Sequence, residues 1–156
     1  MPYAALLAND TIRVHGHTTD EVARRLREMG QVARRHLADA EAPGLSLDAK
    51  HNLAYTAGRV AAEMVMVAGG FRAGRGIGKH AAVFVFLGVA AGGKWSGEAA
   101  YFDKRRERCN VSEYEQAGTI SPSEADTVLR AARRPLDEVL AWVDQSRLPP
   151  VGKAGN

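Results

Sequence analysis

Apolar residues return every third or fourth position along most of the chain, a rhythm that predicts helices joined by glycine-rich loops. Val22, Leu26, Met29, Ala33, Leu37 and Ala40 line one face of a segment that begins at a Thr19 or Asp20 cap. It runs to about Glu41, where Pro43-Gly44 stops it. Its other face carries Arg24, Arg25, Arg27, Arg34 and Arg35 and reads as solvated. A second helix is expected from Ser46 to Ala68, with Leu53, Ala57, Val60, Met64 and Val67 inward and Gly69-Gly70 as its stop. Phe71 to Gly78 reads as a flexible, basic loop. The third helix, Lys79 to Ala91, is apolar almost all round, which suggests a central position. A fourth spans Glu98 to Gln116. The last opens on Ser121-Pro122-Ser123-Glu124, an N-cap followed by proline at the first helical position and glutamate at the third. Pro135 predicts a kink or a break in it. Residues 1–17 read as a short helix and a loop, and no strand pattern competes with the helical one. The expected fold is all-α, an up-and-down bundle of about five helices. It divides into an N-terminal extension (1–18), the bundle (19–147) and a disordered tail (148–156).

Composition changes this picture little. With 156 residues, 46% apolar and 25% charged, the chain is long enough for one domain with a real core. Arginine dominates the cations, which suits phosphate recognition without demanding it. Cys109 is the one cysteine, so no disulfide forms within the chain, as expected in a reducing cytoplasm. No basic segment precedes the apolar patch Ala4–Ala8, so a signal peptide is not expected. The longest apolar run, Ala81–Ala91, is too short to span a bilayer, and no membrane association is expected.

The candidate chemistry centres on the charged run from Asp103 to Tyr114. On a helix, Arg106, Asn110 and Tyr114 fall within roughly 80° of arc. A cation, an amide and a phenol then project together, a set that can hold a phosphate and polarise a nearby hydroxyl. Arg108 lies about 120° from Tyr114 and is the poorer partner. Asp48, Asn52 and Tyr55 form a second polar set on another helix, so a site between the two is expected. Gly74-Arg-Gly-Ile-Gly-Lys79-His80 is not a phosphate loop, because Ala73 replaces the first glycine and His80 the metal-binding hydroxyl. Arg72, Arg75 and Lys79 beside a helix start can still attract an anion. His15-Gly-His17 offers two metal ligands without a third. Neither a metal nor a cofactor is implied.

The helical order, Asp48-x-x-x-Asn52-x-x-Tyr55, the Gly70-Phe-Arg72 turn, His80 before an apolar helix and the Arg-rich Asn110-x-x-x-Tyr114 segment together resemble HEPN domains over residues 19–145. The resemblance implies a helical bundle that pairs about a two-fold axis. It also implies a metal-independent ribonuclease of a toxin–antitoxin or phage-defence system, or a member that binds RNA or a nucleotide without cleaving it. An antitoxin-type protein partner belongs to the same expectation. The catalytic set carried over is Arg106, Asn110 and Tyr114, with His80 from the neighbouring helix. Asp48, Asn52, Tyr55, Arg72 and Arg108 are carried over as ligand-binding. Two positions depart from the family's signature. Tyr114 stands where catalytic members have His, and Cys109 precedes Asn110 where Arg is usual. A phenol titrating near 10 is a poor proton carrier beside an imidazole. The alternative expectation is a non-catalytic interaction module that regulates a partner protein.

Overall fold

A computed structural model describes residues 3–109 and 120–144, apart from the side chains at 107–109 and 143–144. The described residues form an all-α bundle with one small sheet. Helix α1 (Ala4–Ala8) leads to strand β1 (Ile12–Val14), then α2 (Thr19–Ala40), α3 (Leu47–Ala68) and strand β2 (Phe71–Ala73). Helix α4 (Lys79–Val89), a 3-10 turn (Ala90–Gly93), α5 (Ser96–Cys109) and α6 (Pro122–Asp144) follow.

The caps explain where the helices begin. Thr18, not Thr19 or Asp20, starts α2. Its hydroxyl accepts from the Glu21 amide (3.2 Å) while the Glu21 carboxylate accepts from the Thr18 amide (2.9 Å). Only Thr18 has a glutamate three residues on, so only it can close this reciprocal pair. Ser46 caps α3 through the Ala49 amide, and Ser121 caps α6 through the Glu124 amide, both at 3.1 Å. Helix α6 continues through Pro135 without a break. Burial of Ala132, Leu136, Val139 and Leu140 on either side holds it together.

Two expectations are corrected by packing. The central helix is α3 rather than α4. It contacts α2, α4, α5, α6 and β2, whereas α4 leaves Val85 exposed. Small residues along α3 (Ala54, Ala57, Gly58, Ala61, Ala62) let its neighbours approach from several sides. A Cβ at Gly58 would overlap the Phe102 ring of α5. Second, two strands do form. β1 and β2 pair antiparallel with Ile12 opposite Ala73, Arg13 opposite Arg72 and Val14 opposite Phe71. Each is only three residues long, too short to leave a periodic signature. The N-terminal segment packs on the same core as the bundle. Ile12 is buried, and Tyr3 stacks on Phe86 (5.0 Å) and leans on Phe71 (5.3 Å).

The glycine-rich loop after β2 is pinned to that N-terminal segment. The Gly74 amide donates to Thr11 O (2.9 Å) and the Gly76 amide to Asp10 O (2.8 Å), while Arg75 N reaches Asp10 Oδ2 (3.3 Å). A Cβ at Gly74 would overlap the Asp10 carbonyl. The glycine therefore serves backbone-to-backbone approach, and these amides are not presented to a phosphate. Among the described residues, no helix is long and apolar enough to cross a membrane.

Candidate functional site

Helices α3, α4 and α5 each place one ring in a shared layer. Tyr55, Phe84 and Phe102 lie with centroids 5.5 to 6.3 Å apart, and Phe84 and Phe102 stack within 11° of parallel. One helical turn from each ring stands a polar residue. Arg59 comes four positions after Tyr55, His80 four before Phe84, and Arg106 four after Phe102. The sign alternates because successive helices of an up-and-down bundle run in opposite directions. All three polar residues therefore emerge at the same end of the aromatic layer.

The electrostatics agree with that placement. His80 is held below the ordinary imidazole value, first by partial burial and then by the positive charges of Arg59 and Lys79. Arg106 adds to the effect and Glu63 opposes it. Lys79 Nζ lies 3.3 Å from Glu63 Oε1. Arg106 Nε donates to Asp103 Oδ1 at 2.9 Å, which orients the guanidinium on the half-buried side of α5. A neutral imidazole flanked by cations can accept a proton while its neighbours hold an anion.

Lys79 and Glu63 also border a surface groove of about 360 Å³. Arg25 from α2 and Arg72 from β2 line the same groove. Arg25 Nη1 donates to His17 Nε2 (3.0 Å), so Arg25 is oriented and not simply solvated. Arg25, Arg59, Arg72, Lys79 and Arg106 face two carboxylates, Glu63 and Asp103.

A histidine pair anchors α2 beside the groove. His15 Nε2 donates to Val67 O (3.0 Å), and the His17 amide donates to His15 Nδ1 (2.9 Å). Both ring nitrogens of His15 are thereby committed to the neutral tautomer. Burial, opposed by the Val67 bond, holds its pKa down, and His17 and Arg25 add to the depression. The unfolded chain therefore takes up this proton first as the pH falls. Stability is full above the ordinary histidine value of about 6.5. It declines as the pH passes through that value and then through the lower folded one. Urea unfolding from about pH 8 to pH 5 should show this decline, with a shallower slope in His15→Gln, which keeps a donor toward Val67. Equal slopes in the two proteins would remove His15 from the account.

The sequence-predicted residues are only partly brought together. Arg106 and His80 share one face, and Arg72 lies on the adjoining groove. Tyr55 is buried in the aromatic layer, so it supports the site from beneath. Asn52 is exposed, and its backbone carbonyl accepts from Thr56 Oγ1 (2.9 Å). Asp48 sits in the first turn of α3, about 16 Å along the axis from Arg59 at 1.5 Å per residue. Asn110 and Tyr114 lie outside the described residues, as does the side chain of Arg108. Arg59 and Glu63 were not singled out by sequence reasoning. Extending the Asp48-Asn52-Tyr55 spacing by further steps of four reaches both. Arg25 was assigned to a solvated face, and only the fold shows otherwise. Among the described residues, no three His, Cys, Asp or Glu side chains gather in a way that could hold a metal ion.

Comparison of the chain with protein-family models, curated proteins and solved structures finds no match.

Proposed function

We propose that this protein binds RNA or a nucleotide through phosphate, on the face formed by Arg59, Lys79, His80 and Arg106. The observation that carries the reading is the convergence of His80 with two arginines from different helices above the Tyr55–Phe84–Phe102 layer. Arginines carried on two packed helices beside a neutral imidazole can hold a phosphodiester. Arginine is suited to this because its fork matches phosphate oxygens.

The resemblance to HEPN domains extends the reading to metal-independent RNA cleavage. The ribose 2′-oxygen would attack the adjacent phosphorus and expel the 5′-oxygen, leaving a cyclic phosphate and a 5′-hydroxyl end. Arg106 and Arg59 would stabilise the charge that gathers on the phosphorane oxygens. His80, held neutral, would accept the 2′-hydroxyl proton, and as imidazolium it would return one to the leaving oxygen. The two-fold pairing and the antitoxin-type partner belong to the same resemblance and are proposed with it.

Total RNA and tRNA incubated in EDTA with wild type, Arg106→Ala and His80→Ala test the catalytic half. Cleavage by wild type that both variants lose is the expected result. Cleavage retained in both would place any activity elsewhere. Binding without cleavage would leave the phosphate-binding half standing and reject the ribonuclease.

A further inference from the structure

We infer that the groove between α2, α3, β2 and α4 takes a phosphate dianion, the terminal phosphomonoester of an RNA end or a mononucleotide. The inference rests on the proposed function for the rest of the ligand, which would continue over Lys79 onto the Arg59–His80–Arg106 face.

Charge is the first argument. Arg25, Arg72 and Lys79 line the groove against the single carboxylate of Glu63, a surplus of two. A phosphodiester carries one negative charge. A phosphomonoester, with its second pKa near 6, carries between about 1.5 and 2 at neutral pH. The groove is therefore matched to a chain end and over-charged for an internal linkage. Its volume of about 360 Å³ falls in the range of small-molecule sites, enough for a nucleotide end and not only the bare ion.

The second argument is independent and comes from the sheet. The register sets Arg72 directly opposite Arg13. Like charges opposite one another on antiparallel strands are destabilising. Arg13 is satisfied by Asp10, which accepts from its Nε and Nη2 at 2.6 and 2.7 Å. Arg72 is exposed and has no ion-pair partner among the described residues. The Arg13 charge is thus met by Asp10, and Arg72, which borders the groove, is the member of the pair left without a counter-charge. A dianion beside Arg72 would supply the missing counter-charge. The groove also meets the start of α4, whose Gly78 cap contributes no side-chain acceptor to the first-turn amides. These amides favour an anion in the same direction.

The test compares one oligoribonucleotide sequence bearing a 5′-phosphate, a 3′-phosphate or hydroxyl ends, with inorganic phosphate as a separate probe. Wild type, Arg72→Gln and Arg106→Gln are measured by anisotropy titration, and their melting temperatures are recorded with and without phosphate. Wild type should prefer a phosphorylated end by about tenfold, in line with one charge-assisted contact made or lost. Comparison of the 5′ and 3′ forms identifies which end enters. Arg72→Gln should lose that preference, with a melting temperature in the absence of phosphate close to that of wild type, as for an exposed side chain. Arg106→Gln should weaken all three strands alike and keep the preference. Equal wild-type affinity for phosphorylated and hydroxyl ends would overturn the inference and leave the proposed function untouched. A preference that survives in Arg72→Gln would also overturn it. Should no strand bind, the proposed function fails and inorganic phosphate decides the groove. A melting shift lost in Arg72→Gln supports a dianion site, and no shift in wild type rejects it.

Discussion

Replacing Arg59 and Arg106 together by glutamine is expected to weaken RNA binding by about tenfold to a hundredfold at physiological salt, as removal of two phosphate contacts would. The salt dependence should change with it. Each phosphate neutralised on a single strand contributes about 0.7 to the slope of log affinity against log salt, so the double variant should lose roughly 1.4. The two residues come from different helices, α3 and α5, and both act on His80. Each single variant should give about half of the effect if the two contacts are independent. The variants should also shift His80. Arg59 and Arg106 both depress it, so removing them lets the imidazole pKa rise toward its ordinary value. NMR titration of His80 reads this directly. An unchanged salt slope would show that neither arginine touches phosphate. An unchanged His80 titration would show that the three residues do not share a face.

The largest effect on stability is expected at Gly58. Alanine there would gain about 1 kcal/mol of helix propensity. Its methyl group would have to displace the fully buried Phe102 ring, which is stacked on Phe84 and has no open side. Overpacking of this kind costs about 1 to 3 kcal/mol, and here the neighbour that must give is itself held between two helices. We expect Gly58→Ala to lose about 1 to 2 kcal/mol net. In a domain of this size that lowers the melting temperature by roughly 2 to 4 °C for each kcal/mol. Phe102→Leu should restore part of the loss in the Gly58→Ala background while being harmful alone, a coupling that only contact produces. A Gly58→Ala protein as stable as wild type would mean that the ring has somewhere to go. The same displacement bears on the proposed face, because Arg106 stands one turn beyond Phe102 on α5. Thermal unfolding and RNA titration of the same preparation would show whether the aromatic layer also sets the face above it.

Much of the helical framework was legible in the residue pattern. Three long segments, α2, α3 and α6, carry a three-four apolar rhythm, and Ser46 and Ser121-Pro122-Ser123-Glu124 announce helix starts through local side-chain bonds. Local rules failed where two segments had equal local claims. Thr18, Thr19 and Asp20 can all cap, and the partner at Glu21 decides. Pro135 breaks an isolated helix, yet buried residues on either side carry α6 through it. Apolar content alone favoured α4 as the central helix. The small residues of α3 decided otherwise, because centrality depends on how many neighbours can approach and not only on how apolar a helix is.

The candidate site divides along the same line. The pattern along the chain determined that Arg106 stands on a helix, that His80 opens another, that Arg72 follows a helix stop, and that the Gly74–Gly78 run is no phosphate loop. Those are consequences of helical period and of motif chemistry, both carried by neighbours in sequence. Only the tertiary structure decided that Arg59 and Glu63 join them, that Arg25 turns toward a groove, and that Tyr55 is a support beneath the face. It also set Arg72 opposite Arg13, residues 59 positions apart. Each of these is set by which ring packs on which helix and which strand pairs with which, and those contacts join residues that are remote along the chain.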